Sequence, residues 1–414
     1  MLRGWRLIAL VCVLVAGGAL VVLALTGGKG EPAYGPVTVD PGQPDPFAYE
    51  TDREGEFLAR ATAGHSHVLY EKSPGGVFAT ARRVERWRPS VERVATEAGI
   101  DPDLLEAVVF LESAGYADAR AGDDLEGAVG LTQILAGTAT DLLGMRVDVR
   151  QSERLTRRIA RAGPARARRL AARRRAVDER FDPAAALAGT GRYLLLAKER
   201  FEREDLAIVS YHMGMGNLEQ VLAAYGSRDV SWAEVYFDST PRHSRRAYRL
   251  LASFGDDSAT YLWRVYAARE IMRLYRDDRD ELRRLAGLQT YADSAAQVLH
   301  PPGETGSSAD PRPLSGIPGL RVRGPEPRVR PEAFDLAVYL AAGVRQLSGV
   351  RASLTVTGAE GFTLQVRRVY ASGDQALAFQ YMLDRLQSLN LIAWVRKPTV
   401  IRVTASSECG RLVQ

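Results

Sequence analysis

A carboxyl group carried at the end of an apolar helix face is the first feature able to do chemistry. The segment reads Asp101-Pro102-Asp103-Leu104-Leu105-Glu106-Ala107-Val108-Val109-Phe110-Leu111-Glu112-Ser113-Ala114-Gly115. Asp101 is a good N-cap, Pro102 suits the first helical position and Gly115 suits the stop. Leu105, Val108 and Glu112 then share one face at three- and four-residue spacing, and that stripe is expected to be the buried one. Burial disfavours the charged form and raises a carboxyl pKa. A carboxylic acid that is still neutral near neutral pH can protonate a leaving glycosidic oxygen. Spacing alone favours a second reading, a helix-end Glu pointing at solvent.

Three further segments follow in order: Gly127-Ala128-Val129-Gly130-Leu131-Thr132-Gln133-Ile134 with Thr138-Ala139, then Ser210-Tyr211-His212-Met213-Gly214-Met215-Gly216-Asn217-Leu218, then Asp257-Ser258-Ala259-Thr260-Tyr261-Leu262. Together they resemble the SLT-type lytic transglycosylase domain, which has a lysozyme-like fold. That family's motifs read E-S, G-L-M-Q with a following T-A, A-Y-N-A-G-x-G-N, and E-T-x-x-Y-V. Glu112-Ser113 matches the first, and Gly130-Leu131-Thr132-Gln133 matches the second with Thr for Met. The third is matched at Tyr211, Gly214, Gly216 and Asn217, but His212 stands where the family has Asn. The fourth is echoed with Tyr261 retained. The resemblance runs from Asp101 to Tyr275, less than half the chain.

This resemblance implies Glu112 as the single catalytic acid/base. It places Gln133, Tyr211, His212 and Gly214 along the sugar subsites, with Ser113 and Tyr261 supporting Glu112 and the reacting sugar. The implied substrate is the peptidoglycan glycan strand, with no cofactor and no metal. The implied reaction uses the substrate's own N-acetylmuramic acid 6-hydroxyl as nucleophile, giving a 1,6-anhydro product. A tethered hydroxyl has a large effective molarity, which removes the need for an activated external nucleophile. Ordinary glycosidases use a second carboxylate, and Asp123, Asp124 and Glu126 lie in the loop between the first two motifs. Hydrolysis of the same glycan therefore stays open, as does a non-catalytic wall-binding or scaffold role. From the residues themselves, Asn217 with Gln220 reads as a helix start, and Tyr211 to Gly216 as a Gly-rich loop feeding it. His212 is bulkier than Asn and is a titratable group.

The elements that must position these residues are mainly helical. From Thr51 to Leu288 apolar residues recur at three- and four-residue spacing, so residues 51–288 are expected to form one helical domain. Within it, residues 146–180 hold thirteen Arg against Asp148, Glu153, Asp178 and Glu179. They read as a helical hairpin turning near Gly163-Pro164, either simply solvated or acting as a basic arm for anionic wall polymer or lipid headgroups. Residues 29–50 and 289–331 are Pro- and Gly-rich linkers. The whole chain is ordinary for globular protein, with 46% hydrophobic and 25% charged residues. Its net charge of +5 over 414 residues is too mild to argue for nucleic acid.

Residues 1–28 carry the compartment signal. Leu7 to Thr26 is uncharged and apolar, and twenty residues at about 1.5 Å rise span roughly the 30 Å hydrocarbon core. Arg3 and Arg6 precede it, so a signal-anchor would leave the rest of the chain outside the cytoplasm; cleavage near Ala24 would give secretion. The C-terminal unit, residues 332–408, alternates helix and strand patterns: a helix over Ala333–Gly343, strands over Ala352–Thr357 and Phe362–Val369, a helix over Gly373–Leu389, and short strands over Ile392–Arg396 and Val400–Thr404. It faintly resembles the fold of metal-dependent D-Ala-D-Ala carboxypeptidases. Gln365 and Arg402 stand where that family's zinc ligands would be, and no histidine follows His300. The unit is therefore expected to be a non-catalytic small α/β domain. The fold expected for the chain is mainly α, with a lysozyme-like helical domain after a transmembrane helix.

Overall fold

The structure, a computed structural model, describes residues 49–122, 124–240 and 243–290. Beyond them it describes the strand segments 312–313, 328–329, 350–356, 362–368, 400–406 and 409–413, and Arg385. In chain order the helices are α1 Glu54–Lys72, α2 Val77–Glu85, α3 Arg88–Ala98, α4 Pro102–Ser113, α5 Val149–Ala160, α6 Pro164–Val177 and α7 Pro183–Phe201. They continue with α8 Glu204–Met213, α9 Met215–Tyr225, α10 Trp232–Asp238, α11 Arg245–Ser253, α12 Tyr261–Asp277 and α13 Arg279–Thr290. The expected mainly α architecture is what these residues adopt. The apolar run Leu7–Thr26 lies outside the described residues, among which no helix is long and apolar enough to cross a membrane.

The chain divides into two compact units. The first comprises Leu69–Ala223 and Phe254–Arg283. Its centre is α4, which packs against α2, α3, α7 and α12. Asp101 caps α4, its carboxylate accepting from the Asp103 amide at 2.8 Å. Every residue from Leu104 to Phe110 is buried, not only the Leu105–Val108 stripe. A helix enclosed by four neighbours is apolar all round, and a one-face reading underestimates it. The exception inside this run is Glu106, fully buried and paired with Arg88 Nη1 at 3.1 Å and with Arg276. The stop also differs by one residue. Ala114 takes the left-handed cap conformation at φ 50°. Gly115 follows at φ 82°, where a Cβ would lie 2.8 Å from the Arg83 main chain.

Between α4 and α7 rises the expected hairpin, α5 and α6, turning at 161–163 as the Gly163-Pro164 signal predicts. Asp148 caps α5 through the Gln151 amide at 2.9 Å. The base of the hairpin is zipped by Asp148 N–H to the Val177 carbonyl (2.8 Å) and Glu179 N–H to the Arg146 carbonyl (3.0 Å). Leu155 and Leu170 are its buried apolar residues.

The second unit takes in 49–68, Ala224–Ser253 and the described residues after Arg283. Buried Phe57, Trp232 and Phe237 form its helical core, with the Phe57 and Phe237 rings 4.7 Å apart. The Arg385 guanidinium lies 3.9 Å over the Tyr236 ring and donates to the Ser239 carbonyl at 2.8 Å. The strands are β1 Arg312–Pro313, β2 Arg328–Val329, β3 Val350–Val356, β4 Phe362–Arg368, β5 Val400–Ser406 and β6 Cys409–Val413. β3 to β6 form one antiparallel sheet in that order. β3, β4 and β5 fall where the alternation placed strands. β6 was not expected, because a five-residue terminal segment holding Gly410 carries little period-two signal. Gln365 and Arg402 are register partners across β4 and β5. The expected helix Ala333–Gly343, the strand Ile392–Arg396 and, apart from Arg385, the helix Gly373–Leu389 lie outside the described residues.

Candidate active site

Glu112 occupies the last turn of α4, where the enclosed helix emerges from the core. Unlike Glu106 it is only half-buried. Among the described residues no cationic side chain bonds to it; its Oε1 accepts the Tyr261 hydroxyl at 2.7 Å, across 149 residues of sequence. Burial pushes the Glu112 carboxyl above the ordinary carboxylate range, opposed by the charge of His212 and by the Tyr261 hydrogen bond. Tyr261 is itself buried at the start of α12. Burial, reinforced by the nearby Glu112 charge, keeps its phenol protonated far above the usual range. The phenol is thus a fixed donor that orients the carboxyl group without giving up its proton.

His212 covers this pair. Its ring stacks on Tyr261, with centroids 4.9 Å apart and planes inclined by 13°. Its Nε2 lies 3.0 Å from Asp257 Oδ1, and the other Asp257 oxygen contacts Arg264. The His212–Asp257 contact lacks hydrogen-bond alignment and is an ion pair only when the imidazole is protonated. Asp257 and Arg264 are the part of the site that the sequence left unassigned. Asp257 stood inside a recognised segment, but no local signal paired it with His212.

Tyr211 and His212 belong to the last turn of α8, correcting the expected loop over Tyr211 to Gly216. A single residue, Gly214 at φ 85°, breaks the helix, and α9 begins at Met215. Asn217 is correspondingly not a cap of α9; its side chain donates to the Met213 carbonyl at 2.9 Å and so finishes α8. The Tyr211 hydroxyl donates to the Thr132 carbonyl at 2.7 Å, lies 3.2 Å from Thr190 Oγ1, and the ring meets Tyr193 edge-on at 5.2 Å.

Thr132 and Gln133 sit on a tight loop that the sequence read only as a motif. Gln133 is in the left-handed region at φ 54°. Its amide nitrogen donates to the Gly130 and Ala119 carbonyls at 2.8 and 3.2 Å. Both partners are carbonyls, so the amide orientation is forced, and Oε1 remains an acceptor with no hydrogen bond among the described residues. Ser113 is not part of this arrangement. Its hydroxyl donates to the Val109 carbonyl and accepts the Gly115 amide, both at 3.2 Å, and so serves the end of α4. Asp124 and Glu126 are exposed, with the Asp124 carboxylate turned onto the Glu126 amide at 2.9 Å. Asp123 lies outside the described residues. Among the described residues no group of three His, Cys, Asp or Glu side chains could hold a metal.

No family model and no curated protein matches the chain. A carboxyl group with a raised pKa accepts from a buried phenol whose ring stacks on an imidazole, and the neighbouring Tyr211 hydroxyl bonds the loop that carries Gln133.

The loop itself depends on Gly130, whose φ is 85° and whose Cβ, if present, would sit 1.9 Å from the Arg180 carbonyl. Gly130→Ala is expected to cost about 3 kcal/mol from backbone strain and overpacking. A urea unfolding midpoint close to that of the wild type would show that the loop accommodates a side chain after all.

Proposed function

We propose that the chain is a peptidoglycan lytic transglycosylase with a lysozyme-like catalytic domain, Glu112 being its one acid/base. The observation carrying this reading is the Glu112–Tyr261 pair. Of the two Glu residues in α4, only Glu112 combines a raised pKa, freedom from ion pairing and access to solvent. Such a group protonates the glycosidic oxygen and then takes the proton of the attacking hydroxyl. Gln133 Oε1 and the Tyr211 region supply polar and aromatic contacts for the sugar. The expected 1,6-anhydro outcome follows if the only nucleophile within reach is the substrate's own 6-hydroxyl. Asp124 and Glu126 are turned to solvent and to their own loop, which favours transglycosylation over a two-carboxylate hydrolysis. The C-terminal unit is read as a small α/β wall-binding domain without metal chemistry, because a guanidinium at position 402 repels a cation. An outward-facing membrane anchor at Leu7–Thr26 completes the proposal.

Mass spectrometry of sacculi digested with the protein is the test. Anhydromuropeptides should dominate the soluble products. Reducing-end muropeptides instead would assign a hydrolase and turn attention to His212 and Asp257 as the water-activating pair. No release at all would leave a wall-binding role.

A further inference from the structure

The α5–α6 hairpin concentrates charge that the rest of the molecule does not have. Residues 146–180 carry thirteen Arg and four acidic residues, a net +9, while the entire chain carries only +5. The remainder is thus net negative by about four charges, and a general arginine bias in composition does not account for the hairpin. The structure sorts these arginines into two kinds. Arg174 and Arg180 are buried and hold the hairpin to the body, Arg174 by pairing with Asp118 and Arg180 by donating to the Leu125, Gly127 and Ile134 carbonyls. The others are almost all exposed.

Arg150, Arg154 and Arg157 on α5, with Arg161 at its C-cap, recur at four-, three- and four-residue steps and so form one stripe about 16 Å long. Among the described residues only Arg157 of these four pairs with a carboxylate, Glu153 at 3.7 Å. On α6, Arg166, Arg169 and Arg173 form a second stripe with no carboxylate partner among the described residues. Self-repulsion of this kind costs stability unless a ligand relieves it. The zipped base prevents the two helices from fraying to spread the charge.

We propose that this hairpin is the docking surface for a linear, phosphate-bearing polymer on the outer side of the cell. Guanidinium groups pair with phosphate in bidentate fashion, and a stripe repeating at each helical turn presents them in a row. Two alternatives fit less well. Residues 146–180 contain no aromatic side chain on which a base could stack. They also expose none of the large apolar side chains with which a surface helix anchors in a bilayer. The proposal does not depend on Glu112.

The test uses the full chain in nanodiscs of neutral phosphatidylcholine with inorganic polyphosphate as the probe, titrated over salt concentration. The variant Arg154→Gln/Arg161→Gln/Arg166→Gln/Arg173→Gln alters exposed groups only. Removing four phosphate contacts should flatten the log–log salt slope by roughly 3 and weaken binding at low salt by about 10²-fold or more. The pair Arg150→Gln/Arg169→Gln should give about half that change in slope, and serves as the check if the quadruple variant folds poorly by circular dichroism. Equal affinity of the variants and the wild type would overturn the assignment. Loss of polyphosphate binding in discs containing anionic phosphatidylglycerol would overturn it in favour of lipid headgroups. Tighter binding to a DNA duplex than to polyphosphate would overturn it in favour of nucleic acid.

Discussion

Replacing Glu112 by Gln is expected to lower glycan cleavage by about 10²–10⁴-fold while leaving the fold intact. The glutamine keeps the shape of the side chain and can still accept from the Tyr261 hydroxyl, but it has no proton to deliver. Turbidity loss of purified sacculi measures the effect, and retention of more than about a tenth of wild-type activity would remove Glu112 from the mechanism. Stability supplies an independent readout. Burial holds the folded-state pKa of Glu112 above its unfolded value. Between those two values the folded protein binds more protons than the unfolded chain, so wild-type stability falls as pH rises through that window. The glutamine does not titrate. Glu112→Gln should therefore match the wild type below the ordinary carboxyl range and become the more stable protein as pH climbs past the raised value. A constant difference across pH would mean that the carboxyl group is not held neutral by its surroundings.

Arg180→Met should destabilise the protein by about 3–5 kcal/mol, the usual cost of leaving one partner of a buried ion pair without the other. Arg180 and Asp178 are both fully buried and joined at 2.9 Å. The guanidinium also donates to the Leu125 carbonyl at 2.8 Å, the Gly127 carbonyl at 3.1 Å and the Ile134 carbonyl at 3.3 Å. These three carbonyls flank the turn that carries Thr132 and Gln133, so one side chain satisfies the loop's inward-facing acceptors and sets its shape. Met fills similar volume but satisfies none of them. Adding Asp178→Asn to Arg180→Met removes the stranded charge and should recover part of the loss. Denaturant unfolding of the single and double variants separates the two contributions. If the double variant is no more stable than the single one, the lost carbonyl bonds carry the whole effect. If Arg180→Met itself costs less than about 1 kcal/mol, the loop is held by other contacts.

How far the sequence reaches into this site can be followed residue by residue. The start of α4 was legible because a cap and a first-position proline act within three residues of each other, and Asp101 does bond the Asp103 amide. The hairpin turn was legible for the same reason: Gly163 and Pro164 impose their backbone preferences wherever they stand. Glu112 was legible as a candidate through its place at the end of an apolar run, and His212 through its departure from a motif. The setting of each was not. That α4 is enclosed on every side, so that Glu106 becomes a buried ion-pair residue while Glu112 stays unpaired, depends on four helices drawn from distant parts of the chain. Charge runs misled in the same way. Thirteen arginines read alike along residues 146–180, yet Arg174 and Arg180 are buried and tie the hairpin to the body. Local signals of capping, turn and periodicity are set by backbone geometry over one or two turns, and they place the elements and nominate the acid. The Tyr261–Glu112 hydrogen bond, the His212–Asp257 contact and the Arg180 bond to the Ile134 carbonyl join residues 149, 45 and 46 positions apart in sequence. Only the packing of helices against one another brings such pairs within a few ångströms, and that packing sets both the proton affinity of Glu112 and the shape of the site around it.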